Sequence, residues 1–459
     1  MSHPSFPDEP LIVSVSGLRG VVGASLTADV AVRYVHAFAA TLPPGAIVIG
    51  RDGRQSGSAL AAALADHLTR IGRDVIDCGV AATPTIGIVV RDRGAAGGVQ
   101  ISASHNPARY NGLKLFSSAG RVLTAAAGGE VLAHYESLPP GLPPIPEGAA
   151  RGHTTSWDGT ATHVRLVAAI VDVEAIRRRR PRVWLDSGHG AGSRVARPLL
   201  EHIGCEIVIE GGTPDGLFAH EPEPTAANLA GLLPLIRQHS ADVGFFQDPD
   251  ADRLAIATAD GRYIGEEATL AIAVEAVLAR TPGPVVVNCS TSGMTAAIAS
   301  RHGSACHVSK VGEANVVDEM LACGAVLGGE GNGGVIDPRV GLVRDSFVAM
   351  ALVLERLATG SVTIESLAAA LPGMVMVKTK IDLSPELRGP ALAAGLDRIE
   401  RAFPEASSSR LDGLRLDWSG GWLLIRASNT EPIVRIVAEA RDGSLADAAI
   451  ARAAAALRG

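Results

Sequence analysis

Apolar runs of four or five residues recur along the chain, each followed by a polar Gly/Ser-rich turn and then a helical stretch. The first begins at Ala46 as AIVIG, passes through RDGRQSG into a helix closed by Gly72, and resumes as DVIDCG. The second begins at Arg182 as RVWLD, passes through SGHGAGS into a helix closed by Gly204, and resumes as CEIVIEG. The third begins at Pro284 as PVVVN, passes through CSTSG into a helix closed by Gly303, and resumes as SACHVSKVG. Short Val/Ile-rich runs predict buried strands. A glycine just past each helix suits a left-handed C-terminal cap. Strand, helix and strand at this length predict parallel βαβ units. The spacing between copies is long and unequal, so they read as three similar α/β domains rather than a solenoid.

The last part of the chain has a different pattern. MVMVKTKIDL predicts a strand, PALAAGLDRIERAF a helix, and LRLDWSGGWLLIRAS a hairpin around Ser419-Gly420-Gly421. IVRIVAEA predicts another strand and LADAAIARAAAALR a closing helix. This order predicts a smaller C-terminal α+β domain. With proline-rich linkers near Leu138 to Gly148 and Leu371 to Gly373, the expected domains are 1–150, 151–256, 257–370 and 371–459. The fold class is therefore α/β, with three similar mixed α/β domains and a smaller fourth.

Composition narrows the possible functions. Hydrophobic residues make up 47% of the 459 positions, enough for a sizeable core. Lys and Arg number 41 against 48 Asp and Glu, a net charge of -7, which argues against a nucleic-acid-coating protein. The best candidate for a span, Leu270 to Ala279, is short and broken by Glu275, so no membrane span is expected. The start, MSHPSFPDEP, lacks the basic and apolar regions of a secretory signal. Five cysteines without Cys-x-x-Cys spacing fit a reducing cytoplasm, without zinc or a disulfide framework.

Four segments carry candidate chemistry. In GGVQISASHNPARYNGLKLF, Gly97 to Phe116, a strand runs into Ser102 to Pro107. Small hydroxyl residues at a strand end leave room for a ligand. Ser104 suits a nucleophile or phosphate carrier, and His105 and Lys114 suit proton transfer or charge neutralisation. A polar turn without function has the same composition. In QDPDADRLA, Asp248, Asp250 and Asp252 alternate. In an extended chain these would share a face and repel one another unless a cation sat among them. Three hard oxygen ligands favour Mg²⁺ or Ca²⁺, and Arg253 beside them suits an anionic ligand. The EF-hand pattern is excluded, because its glycine position is Arg253 and its glutamate position Ala259. In GGEGNGGVI, Gly328 to Ile336, five glycines permit close backbone approach, with Glu330 and Asn332 as sugar-hydroxyl partners. In RASNTEPIVR, Arg426 and Arg435 flank Ser428, Asn429 and Thr430, which reads as an anion cradle.

Taken together and in this order, the segments resemble the α-D-phosphohexomutase family. SVSGLRGVVG is similar to its N-terminal signature, SASHNP to its phosphoserine loop, DPDADR to its metal loop, and RASNTEP to its phosphate-binding loop. GEGNGG stands where the family has its sugar-recognition loop. DGLFAHEPEPT and SKVGEANV also resemble family segments, so the resemblance covers nearly the whole chain.

The resemblance implies a heart-shaped four-domain phosphohexomutase architecture. It implies an isomerase, an intramolecular phosphotransferase moving phosphate between O1 and O6 of a hexose through a phosphoserine and a bisphosphorylated sugar. It implies phosphorylated Ser104, Mg²⁺ held by Asp248, Asp250, Asp252 and a phosphoserine oxygen, and a hexose 1,6-bisphosphate activator. Arg426, Ser428, Asn429, Thr430 and Arg435 would hold the non-transferring phosphate. Arg19 and Lys114 would serve acid/base and charge-stabilising roles, and Lys310 would bind substrate.

Two departures stand out. Asn332 and Gly334 replace the Ser and His of a G-E-x-S-G-H pattern common in bacterial members, and Pro249 replaces a glycine in the metal loop. The expected activity is that of a phosphoglucosamine mutase. The alternatives are phosphomannomutase/phosphoglucomutase activity or a non-catalytic sugar-phosphate-binding protein. The expected setting is cytoplasmic, with a phosphosugar substrate, no nucleic acid or membrane partner, and a monomer or homodimer.

Overall fold

The computed structural model describes residues 10–145, 148, 150–360, 362–382, 389–427 and 433–458. They form two compact units. The first joins Met1–Ala276 to Asn332–Ala369, and the second joins Val277–Gly331 to Ala370–Gly459.

The first unit holds two predicted strand–helix–strand copies, each in its own sheet. Strand Ile47–Arg51 pairs in parallel with Val75–Val80 and with Gly97–Ile101. Helix Gly57–Arg70 links the first two strands, and Gly72 closes it at φ +84°. Ile47, Val48, Ile49 and Gly50 are all buried, as expected of a parallel strand covered on both faces. Antiparallel strands extend this sheet. Tyr110–Ser117 pairs with Gly97–Ile101, and Gly17–Val21 pairs with Tyr110–Ser117. The second sheet pairs Arg182–Asp186 in parallel with Glu206–Glu210 and with Val243–Gln247, and Leu254–Thr258 closes it antiparallel.

The second unit holds the third copy and the C-terminal domain. Val285–Asn288 runs parallel to Cys306–Ser309 and to Leu327–Glu330. The C-terminal sheet is antiparallel, in the order Val375–Asp382, Ile433–Ala440, Gly421–Ala427, Leu414–Trp418, Ser407–Ser409. Its hairpin turns at Ser419-Gly420, between the paired Trp418 and Gly421. Helices Pro390–Ala402 and Gly443–Arg458 pack on this sheet, with Ile399, Ala446, Ala449 and Ala453 among its buried contacts.

Two edge strands escape the sequence reading. Thr154–Ser156 and Ser407–Ser409 are wholly exposed hydroxyl triplets with no apolar alternation, and only pairing with a neighbour defines them. The apolar run at Leu270 lies in helix Glu266–Leu278, where Leu270, Ile272, Val274 and Val277 are all buried. A helix apolar all round belongs in a protein core. Among the described residues no helix is long and apolar enough to cross a membrane.

Candidate active site

In open α/β sheets, ligand-binding loops collect at the carboxyl ends of parallel strands. Two such ends supply the candidate reactive groups of the first unit. Strand Gly97–Ile101 delivers Ser102 to His105, and strand Val243–Gln247 delivers Asp248. Ser104 Oγ donates to Asp248 Oδ2 at 2.7 Å, although the residues are 144 positions apart. His105 Nδ1 lies 3.3 Å from the same hydroxyl.

The serine sits in an unusual backbone position. Its φ is +49°, left-handed for a residue with a Cβ, a conformation that persists only where surrounding contacts impose it. Those contacts come from Asp52 and Arg54. Ser102 Oγ donates to Asp52 Oδ2 at 2.6 Å and accepts from Ser104 N at 2.8 Å. Arg54 Nε donates to Asp52 at 3.0 Å. Its Nη atoms donate to the carbonyls of Ser104, Asn106, Pro107 and Tyr110 at 2.6–3.1 Å. All five guanidinium hydrogens are thus engaged, and Arg54 is only 1% exposed. Burial pushes the Asp52 carboxyl up, while the Arg54 charge opposes that shift.

The three aspartates converge, but not along an extended strand. After Asp248 the chain turns, and Ala251 takes φ +57°. The turn, not β alternation, brings the carboxylates together. One oxygen from each lies within 4.8 Å of the others, and all three residues are completely buried. Thr83 Oγ1 donates to Asp250 Oδ2 at 2.5 Å. Lys114 Nζ bonds Asp250 at 3.2 Å and Asp252 at 2.7 Å. Arg344 Nη2 donates to Asp252 at 2.6 Å. Arg253 N donates to Asp248 Oδ1 at 3.1 Å, and Arg253 Nε is 3.8 Å from Asp252 Oδ1.

The electrostatics follow from burial and neighbours. Burial, then the charges of Asp250 and Asp252, hold the Asp248 carboxyl well above the usual range. Burial also pushes Asp252 up, but Arg344, Lys114 and Arg253 outweigh it and hold this carboxyl far below its ordinary value. Burial, with the charges of Arg253 and Arg19, lowers His105 to about 2, so its imidazole is neutral. Arg19 Nη1 reaches Asn106 Oδ1 at 3.0 Å.

The cluster fits a hard divalent cation. Asp250 Oδ1 and Asp252 Oδ1 are buried without any hydrogen-bond partner. Two orphaned buried carboxylate oxygens are costly alone and natural as metal ligands.

Several of the other predicted residues have partners of their own. Glu330, 4% exposed, accepts from Asn288 Nδ2 at 2.8 Å and Gly312 N at 3.1 Å. Asn332 Oδ1 accepts from Gly334 N at 3.3 Å. Lys310 is exposed. Arg426 Nε lies 3.3 Å from Asp412 Oδ2. Arg426 stands directly opposite Arg435, and Arg435 opposite Lys380, so three cations share one face of the C-terminal sheet. Ser428, Asn429 and Thr430 lie outside the described residues.

Sequence reasoning missed Asp52, Arg54, Thr83 and Arg344. The first two lie in RDGRQSG, where two charges directly after a buried strand were a usable signal. Thr83 and Arg344 carried none.

Family models match along most of the chain. They describe the three alpha/beta/alpha domains of phosphoglucomutase/phosphomannomutase at residues 11–139, 161–261 and 266–374, and the C-terminal domain at 387–456. A probable phosphoglucosamine mutase of Methanopyrus kandleri is 33% identical over 427 residues, 93% of each chain. A phosphoglucomutase/phosphomannomutase of Thermococcus kodakarensis is 35% identical over 443 residues, again 93% of each. A crystal structure of a phosphoglucomutase/phosphomannomutase family protein from Burkholderia thailandensis superposes with a TM-score of 0.84 at 27% identity, covering 97% of both chains.

Proposed function

The chain belongs to the phosphoglucomutase/phosphomannomutase family and is a phosphohexomutase, an isomerase; from that premise we propose that Ser104 carries its phosphoryl group and that glucosamine phosphate is its sugar. One observation carries this reading. The Ser104 hydroxyl is held 2.7 Å from Asp248, inside a buried carboxylate cluster with two orphaned oxygens.

In the forward direction the phospho-Ser104 Oγ–P bond breaks as a bond forms from phosphorus to O1 of the 6-phosphate substrate. The sugar hydroxyl gives up its proton. The bisphosphate then presents its other end. Its O6–P bond breaks, the Oγ–P bond of Ser104 reforms, and O6 takes up a proton. Such transfer depends on positioning and charge stabilisation. Asp248, Asp250, Asp252 and a phosphoserine oxygen would hold Mg²⁺, which offsets charge on the transferring group. Arg54 fixes the carrier loop and Lys114 neutralises the carboxylates. A phosphate on Ser104 would raise His105 above its present value and make it a donor to that phosphate. Arg19 adds positive charge beside the loop, and Arg253 does so beside the cluster. The sheet face bearing Arg426 and Arg435 suits the non-transferring phosphate, with Ser428, Asn429 and Thr430 as further donors. Glu330, Asn332 and Lys310 read the sugar, and hexose 1,6-bisphosphate restores the phosphoserine.

The named activity of the Methanopyrus relative favours glucosamine phosphate. That of the Thermococcus relative supports mannose and glucose phosphates as a second reading. Domain limits at residues 150, 256 and 370 accompany this reading. So does a cytoplasmic monomer or homodimer acting on free phosphosugars, apart from nucleic acid and membrane; its five cysteines are free.

A phosphorus NMR time course tests the reading. Protein, Mg²⁺ and a trace of glucose 1,6-bisphosphate are mixed separately with glucosamine 6-phosphate, mannose 1-phosphate and glucose 1-phosphate. Fastest interconversion of the glucosamine phosphates is expected. A different ranking reassigns the sugar, and release of inorganic phosphate alone overturns the mutase mechanism.

A further inference from the structure

A second group of metal-ligating side chains lies outside the machinery described above. His307 is on strand Cys306–Ser309, and Glu319 and Cys323 are on the following helix, Glu313–Cys323. A four-residue separation puts Glu319 and Cys323 on one face of that helix, one turn apart. His307 Nδ1 is 3.1 Å from Glu319 Oε1, and one ligand atom from each of the three lies within 4.8 Å of the others. The side chains of His307 and Glu319 are each 37% exposed, so they have room to adjust and solvent can reach them. The thiol of Cys323 lies 3.9 Å from Met320 O.

These distances suit a small tetrahedral ion. Zinc bonds of about 2.0 Å to nitrogen, 2.1 Å to oxygen and 2.3 Å to sulfur put neighbouring ligand atoms roughly 3.5 Å apart. The present group needs to contract by only about 1 Å to meet that geometry. The donor set also separates this site from the aspartate cluster. Imidazole and thiolate favour a borderline ion such as Zn²⁺, whereas three carboxylates favour Mg²⁺. We propose that His307 Nδ1, a Glu319 carboxylate oxygen and Cys323 Sγ form a three-ligand site for Zn²⁺ or a similar divalent transition metal, with water in the fourth position.

Binding forms one bond each from the metal to nitrogen, oxygen and sulfur and releases the thiol proton to solvent. Burial, then the charge of Glu319, holds the Cys323 thiol above its ordinary value, so affinity rises with pH through this proton release. The ligands flank residues 310–312, the segment that carries Lys310 and the Gly312 N–H bonded to Glu330. A metal joining the strand to the helix would tie together the two elements that this loop connects. If the sugar-binding role of Glu330 and Lys310 fails, the metal site itself stands or falls separately.

The test uses the reduced full-length protein, stripped by chelator and held in saturating Mg²⁺ so that the aspartate cluster is filled. Titration with Co²⁺ reports thiolate ligation directly through a sulfur-to-metal charge-transfer band, which carboxylates do not give. The expected result is a band that saturates at one equivalent and is bleached by Zn²⁺. Cys323→Ser removes the band, and His307→Asn or Glu319→Gln weakens Zn²⁺ binding by about 10-fold or more. Absence of the band in the wild-type protein, its persistence in Cys323→Ser, or unchanged Zn²⁺ affinity in both other variants overturns the proposal.

Discussion

The Ser104–aspartate region and the C-terminal cationic face handle charge in opposite ways. In the first, Asp52, Asp248, Asp250 and Asp252 are all buried; Arg54, two residues on, holds Asp52, while Lys114 and Arg344 from distant segments hold Asp250 and Asp252. In the second, Arg435 is exposed and stands beside Arg426 and Lys380, so like charges face one another across neighbouring strands. Cross-strand like charges are unfavourable unless an anion joins them. The first arrangement suits a group that must stay fixed through a covalent cycle. The second suits a surface that receives a phosphate and releases it. The difference teaches that buried carboxylates need partners built into the fold, whereas like charges on a sheet face are tolerated where solvent reaches Arg435 and Asp412 pairs with Arg426.

The sharpest break in the comparison is Ser104→Ala. It removes the hydrogen bond to buried Asp248, so stability should fall by about 1–3 kcal/mol with the fold kept, while mutase turnover is lost; measurable turnover removes the phosphoserine role. Arg54→Met comes next. It leaves Asp52 buried without its partner, and stability should drop by about 3–5 kcal/mol in denaturant titration. A loss like that of a surface charge pair would show that the buried network is not what fixes the loop. Asp250→Asn should raise the Mg²⁺ concentration for half-maximal rate by at least ~10-fold; an unshifted Mg²⁺ titration separates this aspartate from the metal.

Arg435→Gln should act on binding. A charge-assisted phosphate bond of roughly 1.5–3 kcal/mol corresponds to a KM increase of about 10–100-fold, with kcat reduced far less. Equal loss in both parameters would move Arg435 from the resting phosphate to the reacting one. The smallest effect concerns acid stability of the first unit. His67 Nε2 lies 3.0 Å from His36 Nδ1, and burial, then the His36 charge, lowers His67 to about 4 from 6.5. The unfolded chain therefore binds this proton more readily. Stability should be full above pH 6.5 and fall as pH drops from 6.5 towards 4. His67→Gln should make that limb shallower, with His105 still contributing to it, in melts at several pH values; an unchanged limb assigns acid sensitivity to other groups.

Most of the architecture was legible because strand, turn and helix signals are local. The three copies, the C-terminal hairpin and the closing helix could be read from short apolar runs and the glycines after them. The strands Thr154–Ser156 and Ser407–Ser409 could not, since nothing in an exposed hydroxyl triplet marks it as paired. At the site, Ser104 and the aspartates could be named from compact motifs. The reason given for the aspartates' convergence was wrong, because Ala251 turns the chain through a left-handed position.

The sequence by itself determined most of the element types, the repeated α/β plan and the candidate side chains Ser104, Asp248, Asp250 and Asp252, since hydrophobic spacing and turn chemistry act over a few residues. Only the tertiary structure decided which distant groups meet. Asp248 reaches Ser104, Lys114 and Arg344 close on Asp252, and Arg54 gathers four carbonyls of the serine loop. Those meetings depend on where strand ends fall within a sheet, and their energies arise from burial, which no short stretch of sequence records.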